Sequence, residues 1–313
     1  MPFSLEEIAS LLCCPDDGAK LATSAGGLRC SECHRCYGLL SRNILELLPS
    51  RPIALPERSE LAHYREGYQS EFSRPLEIRE NAKAWGAPEN LSQKWVRRRE
   101  RQAREVLQFL GGKQRESELI FCDLSGGAGY CTFSAAAEYR LVFHCDLSLD
   151  ALAYASAKAS ASHLENIIFV HADYFQPPFR NSVHRLACLD TLIRGPWHET
   201  RLLRSIRGVL SSGGTAVVDF HNWWHNPLRR LGLLSDNFAG NKSYTRKELR
   251  KLLASSEIGP FDTKPFVQEV DPLGTPGKVL ARFIPPTRLM VRLAGESAPL
   301  PQTAAARPQE GRA

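Results

Sequence analysis

Leu-Ile-Phe-Cys-Asp-Leu-Ser-Gly-Gly-Ala-Gly, residues 119–129, is a short apolar run that ends in glycines. An apolar run bounded by glycine is typical of a buried parallel strand, and residues 134–138 after it indicate the start of a helix. Glycines let the backbone approach a ligand where a Cβ would collide, and a helix start offers unpaired N–H groups. The stretch therefore predicts a strand, turn and helix that either hold a cofactor or serve packing alone.

The spacing of the glycines distinguishes between cofactors. In a dinucleotide fingerprint, G-x-G-x-x-G, that starts at Gly127, the third glycine position falls on Thr132. Asp123 precedes the glycines, where its carboxylate can meet an ammonium group directly or through water. The methionyl part of S-adenosylmethionine carries such a group, so the loop favours this cofactor over a dinucleotide.

Composition limits the classes to which the chain can belong. A length of 313 residues with 43% hydrophobic content allows one full-sized domain and a smaller unit. No run approaches the roughly 18 apolar residues of a membrane span, and the first residues lack the pattern of a signal peptide. We therefore expect a cytoplasmic protein. The net charge of +6 permits an anionic partner without requiring one.

The nine cysteines are not expected to form a disulfide framework in the cytosol. Four are scattered and are interpreted as small buried hydrophobes: Cys122, Cys131, Cys145 and Cys188. The other five cluster in the first fifty residues: Cys13, Cys14, Cys30, Cys33 and Cys36. A Cys-Pro turn, a short hairpin and then a Cys-x-x-Cys knuckle form the layout of a zinc ribbon.

The fourth ligand of this ribbon is irregular. A regular first knuckle that starts at Cys14 has its second cysteine three residues later, where this chain has Asp17. Asp17 can bind zinc through oxygen, Cys13 or Cys36 can substitute for it, or the ribbon has lost its metal and kept its fold. The predicted metal site is Cys14, Asp17, Cys30 and Cys33.

A proline-rich linker at residues 49–56 follows, and then a segment with aromatic side chains among charged ones: Tyr64, Tyr68, Phe72, Trp85 and Trp95. These residues either belong to helices that cover a neighbouring site or fasten the segment to the core. Residues 97–104 contain a dense run of arginines, for which a solvated helix face is the default and a phosphate-binding surface the alternative.

From residue 119 onward, apolar strands alternate with helices, which predicts an open parallel sheet with helices on both faces. The predicted strands are 119–124, 141–146, 167–173, 186–189 and 215–220, and the predicted helices include 151–161 and 199–210. Asp146, at the end of the second strand, is placed to accept hydrogen bonds from ribose hydroxyls. Asp173 is at the carboxyl end of the third strand, and Tyr174 after it offers a surface for stacking on adenine.

Together these motifs resemble the class I S-adenosylmethionine-dependent methyltransferases, and within them the "type 11" group. The resemblance covers roughly residues 116–258 and rests on the glycine loop, Asp146, Asp173 and the Ser-Ser-Gly-Gly run at 211–214. Two positions depart from the pattern, since Ser125 replaces the first glycine of the loop and Arg185 stands where the group carries Asp. The cysteine-rich first fifty residues resemble the zinc-ribbon family of methyltransferase activator proteins.

The resemblance implies roles residue by residue. Asp123 and the glycine loop would face the methionyl part, Asp146 the ribose, and Asp173 with Tyr174 the adenine, while Asp190 would border the sulfonium. The implied cofactor-binding residues are Asp123, Ser125, Gly126, Gly127, Gly129, Asp146, Leu147, Asp173, Tyr174 and Asp190. Methyl transfer needs a base only if the acceptor must lose a proton, and the candidates are His198, His221 and His225. The alternative is that these histidines only hold the loops at the sheet edge.

The predicted fold class is α/β, a Rossmann-like doubly wound sheet preceded by a zinc-ribbon module. The predicted units are the ribbon at 1–50, a linker and helical cap at 51–115, the methyltransferase domain at 116–290 and a disordered tail at 291–313. Thr245 and Glu248 predict a capped helix start, and 279–283 is the clearest strand after Pro260.

The predicted function is methyl transfer from S-adenosylmethionine to a small molecule, because the tetrapeptide and Pro-Cys motifs of nucleic-acid methyltransferases are absent. RNA base methylation is the alternative, since a zinc ribbon before such a domain also resembles the ribosomal RNA guanine methyltransferases. A non-catalytic adaptor is a third alternative, disfavoured by the intact carboxylates.

Overall fold

A computed structural model describes residues 3–41, 43–55, 62–79, 82–84, 86–111, 118–191, 196–222, 243–256, 261–266 and 288–295. The helices are α1 (Leu5–Leu11), α2 (Ala62–Ser73), α3 (Gln93–Leu110), α4 (Tyr130–Ala135), α5 (Leu149–Ala161), α6 (Pro196–Val209) and α7 (Arg246–Ser255). The strands are β1 (Leu21–Ser24), β2 (Gly27–Cys30), β3 (Cys36–Ser41), β4 (Ile44–Glu46), β5 (Ile120–Leu124), β6 (Leu141–Asp146), β7 (Ile167–His171), β8 (Val183–Cys188), β9 (Leu210–His221), β10 (Phe261–Phe266) and β11 (Arg288–Ala294).

These strands form one sheet in the order β1-β2-β3-β4-β7-β6-β5-β8-β9-β11-β10. Strands β4 to β9 in this order are parallel to one another, whereas β11 lies antiparallel between β9 and β10. The chain reverses its direction of winding at β5, from which β6 and β7 lie on one side and β8 and β9 on the other. The doubly wound Rossmann-like sheet is therefore confirmed, and its ligand crevice is expected at the carboxyl end of β5.

Alternate residues of the buried strands face opposite layers of helices. Phe121 packs in a core with apolar residues of α3, α4 and α5, whereas Cys122 packs in a second core with α1 and α6. The run over β5 is continuously apolar because both faces are covered, as is usual in parallel sheets. Asp123 shares the face of Phe121, so its side chain points towards the layer that contains α3 and α4.

The N-terminal ribbon is continuous with this sheet. Strand β4 pairs in parallel with β7, with Leu45 opposite Val170, and Leu47 donates its N–H to the carbonyl of His171 at 2.9 Å. Leu12 bridges to Phe179, and both side chains are buried in the same core. The ribbon thus covers the edge that β7 would otherwise expose.

The segment before β5 lies against the domain through α2 and α3. Tyr68 of α2 is 3% exposed and packs on Phe72 and Phe175, which favours fastening to the core as the role of this aromatic residue. Helix α3 buries Ala103 and Leu107. Its arginines are less solvated than expected, since Arg98 lies over the ring of Trp95 and Arg101 over that of Phe266.

Most predicted boundaries agree with the structure. Strand β6 has the predicted limits, and the capping box of Thr245 and Glu248 at the start of α7 is confirmed. Helix α4 begins at Tyr130, four residues earlier than expected. Strand β9 begins at Leu210 instead of residue 215, because residues 211–214 continue the strand past an irregularity in its pairing with β8. Strand β11 ends at Ala294, so the sheet extends past residue 290, the predicted end of the domain. Residues 291–294, which were predicted to belong to a disordered tail, are part of this strand.

Trp85, His225, the strand predicted at 279–283 and the tail from 296 lie outside the described residues. Among the helices of the described ranges, none combines the length and apolar character that crossing a bilayer requires. The cytoplasmic location stays a prediction.

Candidate cofactor site

A cavity of about 250 Å³ lies beside the carboxyl ends of β5, β6 and β8. Six of the predicted cofactor residues line it: Asp123, Ser125, Gly126, Gly127, Asp146 and Asp190. Nine further residues complete the wall: Gly86, Arg99, Gln102, Ala128, Tyr130, Cys131, Ser148, Ala151 and Leu189. Since α3 contributes Arg99 and Gln102, the segment before β5 forms part of the site.

The glycine loop is held tightly against β6. The N–H groups of Ser125 and Gly126 both donate to the carbonyl of Cys145, at 2.8 and 3.0 Å. Ser125 has φ of 66°, in the left-handed region that favours glycine, which explains why glycine is usual at this position. A Cβ on Gly126 would lie 2.5 Å from the ring of His144, so only glycine fits here. Gly129, with φ of 81°, precedes α4 outside the cavity wall.

Asp123 is buried beneath the loop and holds the start of α4. Its Oδ2 accepts hydrogen bonds from the N–H of Thr132 at 2.9 Å and from the Thr132 hydroxyl at 2.6 Å. Burial raises the pKa of Asp123 to about 6, against the effect of these two bonds. The carboxylate is therefore mostly ionised at neutral pH.

Asp146 connects β6 to the loop and to α5. Its Oδ2 accepts from the N–H of Gly127 at 2.8 Å, and its Oδ1 accepts from the N–H of Ser148 at 2.8 Å. Burial raises the pKa of Asp146, although the backbone donors favour its ionised form. Each carboxylate oxygen keeps further acceptor capacity towards the cavity. This geometry supports the predicted role as ribose anchor.

We expect Asp146→Ala to weaken binding of S-adenosylhomocysteine by about ten- to a hundredfold, because hydrogen bonds to a charged acceptor contribute roughly 1.5–3 kcal/mol. Isothermal titration calorimetry measures the change. The matched control is Asp150→Ala, which removes a carboxylate that pairs with Arg74 at 2.6 Å outside the cavity. Equal affinities of the two variants would remove this role from Asp146.

Asp190 belongs to a network of charges that sequence patterns did not indicate. Its carboxylate forms ion pairs with Arg99 of α3 and Arg288 of β11. Asp219 of β9 accepts the main-chain N–H of Asp190 at 2.8 Å, and also Arg288 at 2.9 Å and Gln102 at 3.0 Å. The network fixes Asp190 with φ of 60°, a left-handed conformation that is uncommon for aspartate.

Burial acts to raise the pKa of Asp190, but the charges of Arg288 and Arg99 outweigh it, so the pKa is lowered. Asp219 is fully buried, and burial raises its pKa. The two arginines thus pair with two aspartates, and of these four residues Arg99 and Asp190 line the cavity. Asp190 is thus held ionised and is poorly suited to accept a proton.

The structure does not bring all the predicted cofactor residues to the cavity. Asp173 is fully buried, and its carboxylate accepts the hydroxyl of Tyr68 at 2.6 Å and the N–H of Phe175 at 2.9 Å. Leu147 and Tyr174 are buried outside the cavity wall as well. The roles of Asp173 and Tyr174 towards adenine, and the contact of Leu147 with the cofactor, stay predictions.

The candidate bases differ in position. His198 is 4% exposed, packs edge-on against Phe175 and lies outside the cavity wall, and burial lowers its pKa to about 3. These surroundings favour a structural role. His221 ends β9 half-buried, directly opposite Arg288 of β11, the partner of Asp190, which places it near the cavity.

The predicted metal ligands converge in the ribbon. Ligand atoms of Cys14, Asp17, Cys30 and Cys33 all lie within 4.8 Å of one another. The sulfurs of Cys14 and Cys33 are 3.7 Å apart, close to the roughly 3.8 Å that a tetrahedral zinc with Zn–S bonds of about 2.3 Å requires. Asp17 is 3.4 Å from the Cys30 sulfur, and the Ala19 N–H lowers the pKa of this carboxylate to about 2.

The two alternative ligands lie elsewhere. Cys36 is exposed with its sulfur towards the His34 carbonyl, and Cys13 is buried in a bridge to Lys20. In the described part of the chain, no other group of this kind is found. The donor set of three sulfurs and one carboxylate oxygen therefore fits one tetrahedral zinc.

Sequence reasoning missed some residues that line the cavity and some that support its wall. His144 and Asp219 each interrupt an otherwise apolar strand, and such a polar residue in a buried run is a detectable signal. Arg99 and Gln102 are three residues apart and share a helix face, but nothing local separates Arg99 from its neighbours in the arginine run. Arg288 reaches the site only because β11 lies between β9 and β10.

Comparison with known proteins identifies the central part of the chain. Residues 121–214 match the family described as "Methyltransferase domain". No curated protein matches the chain. The matched residues span β5 to the first half of β9, which include the glycine loop, Asp146 and Asp190. The centre of the sheet is therefore similar to a methyltransferase domain.

Solved structures with a similar arrangement include three methyltransferases. Phosphoethanolamine N-methyltransferase 2 of Haemonchus contortus, in complex with S-adenosylhomocysteine, is 14% identical, with 63% of this chain and 53% of that chain covered and a TM-score of 0.48. The chain thus matches about half the length of that enzyme.

Geranyl diphosphate C-methyltransferase of Streptomyces coelicolor is 15% identical, with 63% of this chain and 76% of that chain covered and a TM-score of 0.48. Magnesium protoporphyrin IX methyltransferase of Synechocystis is 14% identical, with 66% of this chain and 89% of that chain covered and a TM-score of 0.48. Similarity at this level does not identify an acceptor.

Proposed function

We propose that this chain transfers a methyl group from S-adenosylmethionine to a small-molecule acceptor. The observation that carries the proposal is the cavity at the carboxyl end of β5, where the glycine loop, Asp146 and Asp190 meet the α3 residues Arg99 and Gln102. This is the position at which doubly wound sheets bind their ligands.

The chain's residues fit the cofactor. When bound, S-adenosylmethionine supplies an electrophilic methyl group on a sulfonium. The backbone at Gly126 leaves no room for a Cβ, and Asp123 and Asp146 offer acceptors for an ammonium group and for ribose hydroxyls. Asp190, held ionised by Arg99 and Arg288, would face the positive charge of the sulfonium.

The protein's main contribution to methyl transfer would be orientation and exclusion of water. Since Asp190 keeps its charge, it is not the base that an acceptor would need. His221 lies opposite Arg288, the partner of Asp190, and is the described histidine best placed to take a proton. His225 lies outside the described residues and remains a candidate of the sequence.

The contacts of the arginine run argue against a phosphate-binding surface. Arg99 pairs with Asp190 inside the cavity wall, Arg98 lies over Trp95, and Arg101 lies between Glu105 and Phe266. A track that follows a phosphate backbone needs several cationic groups directed to solvent, and of the five arginines of the run only Arg97 and Arg104 are exposed. RNA therefore remains the less favoured acceptor.

Methyl-labelled S-adenosylmethionine tests the proposal when it is incubated with the protein and a cell extract, which is then separated into a small-molecule filtrate, RNA and protein. We expect label in the filtrate, at a rate that Asp146→Ala lowers. Label in a ribonuclease-sensitive fraction would overturn the small-molecule acceptor. Absence of transfer by a protein that binds S-adenosylhomocysteine would favour the adaptor alternative.

We also propose that Cys14, Asp17, Cys30 and Cys33 hold one structural zinc. Four protein ligands leave no open position for a substrate, and the ribbon lies at the far edge of the sheet from β8 and β9. The metal would stabilise β1 to β4 and, through the pairing of β4 with β7, the cofactor-binding part of the sheet.

A further inference from the structure

A chain of hydrogen bonds runs beneath the glycine loop, through three residues from three different elements. Asp123 of β5 and His144 of β6 are direct partners in the parallel ladder, and their side chains share one face of the sheet. Thr132 of α4 lies between them. Its hydroxyl is 2.6 Å from Asp123 Oδ2 and 2.7 Å from His144 Nδ1.

The number of available protons fixes the direction of these bonds. An ionised carboxylate can only accept, so the single hydroxyl proton of Thr132 must be donated to Asp123. The hydroxyl oxygen then accepts from His144, whose Nδ1 must carry the ring proton. Burial lowers the pKa of His144 to about 3, so the ring is neutral and holds this tautomer throughout the physiological range.

The arrangement leaves one oxygen of Asp123 for a ligand. Both bonds from Thr132 end on Oδ2, and Asp123 is part of the cavity wall. Oδ1 is therefore the oxygen that can receive a group from the cavity. Its direction is fixed, because the carboxylate cannot rotate without losing two donors.

Packing alone does not account for His144. Its Nε2 is buried without a hydrogen-bond partner among the described residues, which is unfavourable for a polar atom. A phenylalanine would fill the same space without this cost, but it would not hold the Thr132 hydroxyl. The loop is shaped around the ring, since a Cβ on Gly126 would lie 2.6 Å from Nδ1.

We propose that Thr132 and His144 are positioning residues for the ammonium group of the cofactor, acting through Asp123. His144 orients the Thr132 hydroxyl, the hydroxyl fixes Oδ2, and Oδ1 receives the ammonium. The inference rests on the proposed function, since it assumes that the cavity holds S-adenosylmethionine or its product.

Two ligands and two substitutions of Thr132 separate this role from a structural one. The ligands are S-adenosylhomocysteine and its deamino analogue, in which hydrogen replaces the ammonium group. We expect the wild type to bind S-adenosylhomocysteine at least about tenfold more tightly than the deamino analogue, because the ammonium group forms a charge-assisted hydrogen bond. The ratio of these two affinities is the quantity compared between variants. Thr132→Val should reduce this ratio to near unity while the analogue binds as before, and Thr132→Ser should preserve it. His144→Phe should reduce the ratio in the same direction.

Other outcomes contradict the inference in distinguishable ways. If Thr132→Val weakens the binding of both ligands equally, Thr132 supports the loop and does not act on the ammonium group. If the wild type binds both ligands equally, Asp123 does not receive the ammonium, although the cofactor assignment stands. If the wild type binds neither ligand, the proposed function fails and this inference fails with it. Each ratio is measured on protein that binds the analogue, so a misfolded variant is recognised.

The pH dependence of the ratio provides a second readout. Because the pKa of Asp123 is raised to about 6 and its ionised form is the one that binds, the preference should be full above that pH and decline below it. Thr132→Ser keeps the hydroxyl that favours the ionised form, so the midpoint of its ratio should match that of the wild type. The other titratable groups around Asp123 are the neutral His144, the carboxylate of Asp146, Arg99 of the cavity wall and the thiol of Cys131. The thiols of Cys122 and Cys188 lie on the opposite face of the sheet.

Discussion

Removal of zinc from the N-terminal ribbon is expected to lower the melting temperature of the protein by about 10 °C or more. In isolated zinc fingers the metal contributes about 10–16 kcal/mol to folding, and each kcal/mol lost corresponds to roughly 2–4 °C in a chain of this size class. The ribbon shares a core with the domain and covers β7 through β4, so its loss should be transmitted to the main sheet.

Metal analysis and thermal unfolding with and without a chelator measure the effect. Protein purified without added zinc should contain about one equivalent, and Cys30→Ser should abolish binding. The matched control is Cys36→Ser, because Cys36 is an exposed cysteine of the same ribbon outside the cluster. Asp17→Cys should tighten zinc binding by completing a four-cysteine site. A protein without metal whose melting temperature does not respond to chelation would contradict the zinc assignment.

The second large effect is expected for Arg288→Met, which should lower the free energy of unfolding by about 3–5 kcal/mol. The substitution leaves Asp219, whose side chain has no exposed surface, without its cationic partner and removes one of the two arginines of Asp190. Denaturant unfolding measures the change. The same substitution should weaken S-adenosylhomocysteine binding, since the network fixes Asp190 in the cavity wall.

Arg292→Met is the matched control for this prediction. Arg292 lies on the same strand and pairs with Asp262, whose side chain is 60% exposed. An exposed pair of this kind contributes only about 0–1 kcal/mol. A loss for Arg288→Met no larger than that for Arg292→Met would show that the buried network does not stabilise the fold.

The effect of Arg288→Met should also depend on pH. Burial raises the pKa of Asp219, and a carboxyl with a raised pKa in the folded state favours folding at low pH and opposes it as the pH rises. The stability deficit of the variant should therefore shrink as the pH is lowered from neutral towards about 4, the ordinary range of aspartate. A deficit that is constant over this range would indicate lost packing instead of an unpaired charge.

Local patterns were sufficient for the centre of the molecule. The apolar runs of β5, β6 and β7 predicted buried parallel strands. The sequence also indicated Asp123, Asp146 and Asp173 as candidate site residues, because each is a charged residue at or near the end of such a run. Spacing alone also identified the four converging side chains of the ribbon. In each case the signal lies within a few residues, where sequence reasoning is effective.

Contacts between distant segments were not predictable in this way. The pairing of β4 with β7 depends on the shape of the whole ribbon, and the contact of Tyr68 with Asp173 depends on where α2 lies. Arg288 reaches Asp190 because β11 enters the sheet antiparallel to β9, which no local period indicates. The arginine run illustrates the difficulty within one helix, since Arg99 turns into the cavity while Arg97 stays exposed.

Calorimetric titration of the wild-type protein with S-adenosylhomocysteine, with NADH as the competing ligand class, tests the central claim most directly. The account predicts a saturable one-to-one isotherm for S-adenosylhomocysteine and no binding of NADH. The glycine loop, Asp123 and Asp146 all contribute to this prediction. Binding of NADH without binding of S-adenosylhomocysteine would contradict it and would assign the cavity to a dinucleotide.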